Sequence, residues 1–402
     1  MSIMDTRRTL NHTSSPRDWA AVRILAGGML GLVVAMGIGR FAFTPILPLM
    51  QRDLGMSHSV AGWLAGLNYL GYLVGAIVCT VAPRLLRSQI VGAGALLLSL
   101  ATTIFMGLTF SPLWWGILRL VGGVASAILF IIISAEVGEA LARRGYSHWF
   151  GALYGGVGLG IALSGIIVPQ LDKTGGWSFA WTGIGLLAVF CAIAGTALGR
   201  TRDYSPSIVT GVPERTVGLH SILLLASAYF LEGLGYIVTA TFLVAIITTT
   251  PGLEGFAPYS WVAVGLAAVP STVLWPYLAR RIGNRRALLA AYGLQIAGIL
   301  ISRHATSIFE VLFAAVSFGG TFLGIVALTM AEGNLRMGRE GRRAAAFLTA
   351  SFSIGQMLGP VIAGILADRQ DGFALPLLLA AASVTLGCGF IAVDRHYQHH
   401  RT

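Results

Sequence analysis

The sequence predicts an all-α integral membrane protein, with twelve transmembrane helices arranged as two pseudo-symmetric six-helix bundles. Three observations predict it. Of 402 residues, 55% are hydrophobic and only 11% are charged, where soluble domains carry about a quarter charged residues. Apolar runs long enough to span a bilayer follow one another along the chain. Residues of the second half also echo residues of the first at a near-constant offset.

A spanning helix needs about 20 mostly apolar residues. Runs that meet this, each bounded by turn or charge signals, lie at 22–50, 58–82, 90–110, 113–138, 148–169, 178–199, 219–247, 259–279, 287–303, 307–331, 344–367 and 374–393. The first run is too long for a signal-peptide core and meets no small-residue cleavage site before Arg40, so it reads as a retained helix. Only the tight turn "FSPLWW" separates the third run from the fourth, and the ninth is short and ends at Arg303.

Basic residues set the orientation, because loops rich in Lys and Arg stay on the cytoplasmic side. Arginines crowd alternate loops: Arg7, Arg8, Arg17 and Arg23, then Arg84 and Arg87, Arg143 and Arg144, and so on to Arg395 and Arg401. The opposite loops hold only Arg52, Lys173, Arg303 and Arg369. Both termini are therefore expected in the cytoplasm, in a multi-pass protein of the cell membrane, of the bacterial inner-membrane type. The longest polar stretch between runs, "RTRDYSPSIVTGVPERTVGLH", holds prolines and mixed charge and falls midway. The expected organisation is a cytoplasmic tail at 1–20, a six-helix bundle at 21–199, a cytoplasmic linker at 200–218, a second bundle at 219–393 and a cytoplasmic tail at 394–402.

The repeat supports that division. "GIGRF" at Gly37 has a counterpart in "GLGYI" at Gly233, Gly123 in Gly319, and Glu136 in Glu332, all at one offset. Gly156, Gly160 and Gly165 recur as Gly355, Gly359 and Gly364 at an offset three residues longer. Internal repeats of this kind are typical of secondary transporters, whose site lies at the repeat interface near the midplane.

Several function classes drop out. The net charge of +11 would suggest nucleic acid in a soluble chain, but the basic residues sit in short loops between apolar runs, where a membrane surface explains them. Cys79, Cys191 and Cys388 lie far apart inside apolar runs and read as small buried hydrophobes. His396, His399 and His400 read as a solvated tail rather than a metal site. "YGGVGLGIALSG" has no preceding strand and reads as a close-packing helix face, not a phosphate loop. No zinc motif, nucleophile elbow, Walker loop or catalytic carboxylate pair is present, so neither an enzyme nor an ATP-driven pump is expected, and no cofactor.

Twelve spans, a central loop and two six-span halves resemble the major facilitator superfamily. "RLVGGVASA" at Arg119 is similar to that family's fourth-helix motif. "GQMLGPVIAG", from Gly355 to Gly364, is similar to the Gly-Pro motif of its antiporters, and "YLARRIGNRR", from Tyr277 to Arg286, to its basic loop signature. That signature normally has Asp where this chain has Arg280. "GIGRFAFTPILPLM", "AGWLAGLNYLGYLVGA", "LEGLGYIVTATFL" and "FGGTFLGIVALTM" more narrowly resemble its YbfB/YjiJ-like branch. The resemblance implies alternating access, in which two bundles rock about a midplane site.

Charges well inside the spans are Arg40, Arg119 and Glu232. An intramembrane charge costs roughly 2.5–3.5 kcal/mol on insertion scales and persists where it meets a cavity or a partner. Arg40 lies about 15 Å inside the outer end of its helix and Arg119 about 9–10 Å inside the end of its own. The resembled fold places both helices on the central cavity, where two cations without a carboxylate in the same half would attract carboxylate or phosphate. Interhelical hydrogen bonding without a ligand is the competing reading. Glu232, near the midplane of the seventh span, reads as a proton carrier, as a fixed partner of an arginine across the halves, or as a substrate contact.

Further candidate liners are Asn68 and Tyr72, four residues apart on one helix face, with Tyr154, Tyr236 and Gln356. Aromatic residues there also serve as packing or interface anchors, whereas an unpaired amide in lipid is expensive. Thr44, Pro45, Gly359 and Pro360 are candidate gate or hinge positions, with a kink repaired by Thr44 as the alternative at the first pair. Glu136 and Glu332 read as inner-gate or loop salt-bridge partners of Arg143, Arg144 and Arg336. The expected protein is a monomeric secondary transporter of a small organic solute, proton-coupled, leaning to export and to an anionic substrate. The alternatives are an uptake symporter of an organic acid and a non-transporting sensor on a transporter fold.

Overall fold

The computed structural model describes residues 16–85, 88–199, 219–338 and 341–394. The expectations placed on most of the N-terminal tail, on the 200–218 linker and on the histidine tail fall outside those residues. Every span expected from the sequence falls on helix. The α-helices are α1 (Pro16–Leu32), α2 (Phe43–Leu54), α3 (His58–Val81), α4 (Gln89–Met106), α5 (Pro112–Arg143), the single turn α6 (Phe150–Leu153), α7 (Gly155–Gly199), α8 (Leu223–Thr248), α9 (Ala257–Ile282), α10 (Asn284–Ser302), α11 (Ile308–Met337), α12 (Gly341–Gln370) and α13 (Ala374–Val393).

Ten helical stretches among the described residues are long and apolar enough to cross a membrane. They differ from the expected twelve at two places. Ser147–Gly199 counts once, although Gly175 and Gly176 break it. Gly176 has φ 68° and ψ −163°, which a side chain would strain, so two glycines make the corner that the sequence suggested as a loop. The other place is α10, whose Arg285 and Arg286 dilute its first turn and leave it outside the ten.

The first span is interrupted beside its arginine. After α1 the chain widens into a π-helical segment, Val33–Ile38, with Gly39 N–H donating to Val34 O at 2.9 Å and Phe41 N–H to Met36 O at 3.1 Å. A turn over 39–42 then leads into α2. Pro45 falls in the first turn of α2, where N–H groups have no intrahelical partner, so its missing donor costs little. Phe41 O is taken by Thr44 N–H at 3.2 Å instead. π-Segments are rare and frequent at functional sites.

Helix pairing follows the repeat. α1 packs on α7 and α3 on α5 in the first half, as α8 packs on α12 and α9 on α11 in the second. A methyl added at Gly123 would run into Asn68 O of α3, and one at Gly319 into Val264 O of α9, which are equivalent pairs. The halves meet through α3 against α12 and α7 against α9, pairs that exchange under the same pseudo-symmetry. Gly165 abuts Pro258 O across one seam and Gly364 abuts His58 O across the other. Small residues let these backbones approach where lipid supplies no hydrophobic drive between helices.

Candidate functional site

Arg40 leaves the turn after the π segment and reaches across to the other half. It is 4% exposed. Its Nη2 donates to Gln356 Oε1 of α12 at 2.8 Å. The guanidinium carbon lies 4.3 Å from the ring centroid of Tyr69 and 4.4 Å from that of Tyr72, both on α3. Its Nε has no partner. Among the described residues no carboxylate lies at ion-pair distance from Arg40 or Arg119.

The other end of Gln356 is also engaged, as its amide nitrogen donates to the Tyr236 hydroxyl of α8. Tyr236 in turn lies flat against a row of rings. Its plane is within 21° of Phe318, 11° of Phe322 and 10° of Phe352. Phe352 continues the row to Tyr229, with centroids 4.2 Å apart. Phe322 meets Phe41 of the first half edge-on at 6.1 Å. Arg40, the Gln356 carboxamide and an aromatic wall thus meet between the halves, all buried.

Arg119 is equally buried but differently used. Its Nε donates to Leu64 O at 3.3 Å, and its guanidinium sits 4.6 Å from the Phe43 ring. Asn68 donates to Arg119 O at 2.9 Å, joining α3 to α5, and its Oδ1 has no partner. Arg119 and Asn68 therefore secure helix packing beside the Arg40 group. Tyr154 lies one ring further out, in contact with Phe130, which meets Tyr72 at 6.5 Å.

Glu232 is fully buried. Gln295 Nε2 of α10 donates to its Oε1 at 3.3 Å, while Glu232 Oε2 and Gln295 Oε1 have no partner. Among the described residues no cation lies at ion-pair distance, so the arginine partnership read as one alternative from sequence is not what the geometry gives. Through that bond the carboxyl joins α8 to α10.

The end of the molecule bearing Arg52 is closed by contacts between the halves. Thr44 Oγ1 donates to Ala240 O at 2.6 Å. Asp368, at the end of α12, accepts from His58 N–H at 2.9 Å and Ser59 N–H at 2.8 Å, capping the first turn of α3. That cap uses free donors and the positive end of the helix dipole. Gly62 of α3 packs on the Pro360 carbonyl, and Gly359 on Leu234 within its own half. Arg52 holds Asp172 at 2.8 Å within the first half.

At the opposite end, Glu332 pairs with Arg336 at 2.8 Å and accepts from Asn284 at 2.8 Å. Arg336 also holds Asp394 at 2.6 Å, with both side chains nearly inaccessible. On the equivalent helix the pair is not with Glu136, which is exposed; Glu139 holds Arg143 at 3.4 Å. Sequence reading missed Asp368, Gln295, Asn284 and Asp394. Only Asn284, inside the basic loop signature, carried a signal.

A helical membrane fold of two related halves that meet at a buried cation is the architecture of a membrane transporter. The family model described as "Uncharacterised MFS-type transporter YbfB" matches residues 32–392, and the chain belongs to that family within the major facilitator superfamily. It is 27% identical over 380 residues to "Uncharacterized transporter YycB" of Bacillus subtilis (strain 168), covering 85% of this chain and 86% of that one. It is 27% identical over 398 residues to a "Chloramphenicol resistance protein" of Streptomyces lividans, covering 90% and 94%. A "Gentisate transporter" of Corynebacterium glutamicum is 22% identical over 372 residues, covering 86% and 81%. Among solved structures the fold is similar to the nucleoside transporter NupG, with TM-score 0.69, 14% identity and coverage of 93% and 98%. It is also similar to a bacterial homologue of the human lysosomal transporter Spinster, with TM-score 0.70, 14% identity and coverage of 96% and 98%.

Proposed function

We propose that this transporter moves a small organic solute carrying an anionic group, by alternating access and coupled to protons. One observation carries the reading: Arg40 is buried between the halves and, among the described residues, has no carboxylate at ion-pair distance and bonds a neutral amide of the other half. A charge left so is expensive in a bilayer. An anionic substrate group supplies the missing partner, and Arg suits it because its fork can bond a carboxylate or phosphate twice. Tyr72, Tyr236 and Gln356 adjoin that position, and Asn68, Arg119 and Tyr154 support it.

Glu232 is the proposed proton carrier. Burying a carboxylate with no cation beside it costs several kcal/mol, and a bound proton removes that cost. Glu232 and Tyr236 both belong to α8, so protonation and substrate occupancy act on the same helix.

Thr44 and Asp368 hold the Arg52 end shut. The arginine distribution supports placing that end outside, with both termini cytoplasmic in a cell membrane, which makes the proposed state one sealed outward. Export is the proposed direction, supported by the "GQMLGPVIAG" string and the similarity to a chloramphenicol resistance protein. The working unit is proposed as a monomer of two bundles, 21–199 and 219–393.

Proteoliposomes with an imposed pH gradient test the reading. Organic acids are expected to drive proton movement, and Glu232→Gln to abolish it. Proton movement driven only by lipophilic cations, with organic acids, phosphates and sugars silent, contradicts the anionic substrate.

A further inference from the structure

We infer that the solute is a monocyclic aromatic carboxylic acid, and that Gln356 stands in for its carboxylate when the site is empty. The inference rests on the anionic reading above and narrows it. A carboxamide and a carboxylate share one planar shape. Here the carboxamide spans two groups from different halves: its oxygen accepts from Arg40 Nη2 at 2.8 Å, and its nitrogen donates to the Tyr236 hydroxyl. A carboxylate in that place accepts from Arg40 with one oxygen and from Tyr236 O–H with the other, the tyrosine turning from acceptor to donor. The free Arg40 Nε offers a further bond that the amide leaves unmade. The bond to the amide is assisted by the arginine's charge alone, whereas a carboxylate brings the opposite charge and can bond the guanidinium twice, so the exchange favours the anion.

The ring is read from the wall. Tyr229, Tyr236, Phe318, Phe322 and Phe352 come from three helices, yet their contacting planes agree within 21°. Every other ring pair found among the described residues is tilted by 30° or more. Rings packed only for burial take the tilted and edge-on mixture seen elsewhere in the chain. A shared plane beside a carboxylate clamp suits a flat ring whose carboxylate lies in its own plane, stacking against the wall as aromatic pairs do at centroid separations of about 4.5–7 Å. Tyr69 and Tyr72 meanwhile hold the guanidinium from the other side. The resemblance to a gentisate transporter agrees in ligand chemistry.

The exchange also couples binding to movement. Arg40 belongs to the first half and Gln356 to the second, so an arriving acid replaces a fixed link between halves with one through itself.

Binding to the full chain in nanodiscs, followed by calorimetry, tests this with 4-hydroxybenzoate, cyclohexanecarboxylate and 4-hydroxybenzamide. Hydroxybenzoate is expected to bind, cyclohexanecarboxylate about tenfold more weakly, and the benzamide not at all. Gln356→Ala is expected to tighten hydroxybenzoate several-fold, because it removes the competitor. Gln356→Glu is expected to abolish binding and raise the melting temperature of the empty protein, because it supplies the carboxylate internally. Equal binding of the two acids overturns the aromatic class and leaves the anionic reading standing. Binding of the benzamide with both acids silent overturns both. Silence of hydroxybenzoate at millimolar concentration, or weaker binding in Gln356→Ala together with a lowered melting temperature in Gln356→Glu, overturns the stand-in.

Discussion

Arg40 and Tyr236 occupy equivalent positions in the two halves and hold opposite ends of one side chain, Gln356. The repeat thus brings a cation and a phenol to the same point from opposite sides. The glycines around them are shared architecture, and the chemistry differs because one half has Arg where the other has Tyr. If that asymmetry is the binding device, the two buried arginines Arg40 and Arg119 will respond differently to removal.

Arg40→Gln is expected to lose about 2–5 kcal/mol of affinity for an anionic substrate, the cost of unpairing a buried charged contact. Its melting temperature should change little, since the variant removes an unpaired charge. Arg119→Gln should show the reverse, a lowered melting temperature with affinity nearly retained, because its donor goes to Leu64 O. Isothermal titration and thermal melting on both variants separate the roles.

Closure at the Arg52 end is expected to depend on Thr44 and Asp368. Thr44→Val deletes a hydrogen bond of 2.6 Å between halves, worth about 0.5–1.5 kcal/mol. Asp368→Asn weakens two backbone contacts that a charge now strengthens, and hydrogen bonds to charged groups contribute about 1.5–3 kcal/mol. Spin-label distances across that end should lengthen in both, more in Asp368→Asn. Unchanged distances in the double variant contradict the latch.

Pro45→Ala is expected to be close to neutral in stability and transport. Its ring sits in the first turn of α2, where no ladder bond is lost. A transport rate reduced tenfold would restore Pro45 as a hinge.

Arg336→Ala should destabilise strongly, by about 3–5 kcal/mol, since it removes the buried cation that Glu332 and Asp394 share. Thermal melting in detergent reads this directly, and Glu136→Ala, at an exposed position on the equivalent helix, is the control that should leave it unmoved.

The sequence exposed Arg40 and Arg119 because a charge inside an apolar run has no inexpensive explanation. It exposed the repeat because packing glycines such as Gly123 and Gly319 meet equivalent carbonyls and tolerate no side chain. It did not expose the π segment before Arg40, since a change of hydrogen-bond register leaves no compositional mark. The fifth expected span ends at 169, yet the helix continues to the corner at Gly175 and Gly176. Gln295 was invisible as the partner of Glu232 because their meeting depends on the rotation of two helices about their axes. Asp368 lies one residue past the expected span 344–367, and its role appears only when the first turn of α3 is placed against it.

The central claim is that the substrate's anionic group takes the place of Gln356 on Arg40. Counterflow of a radiolabelled aromatic acid in proteoliposomes tests it most directly, comparing the native protein with Arg40→Gln. The account predicts rapid exchange by the native protein and none above protein-free vesicles for the variant, at equal reconstitution. Exchange by Arg40→Gln at the native rate and with native affinity would contradict it.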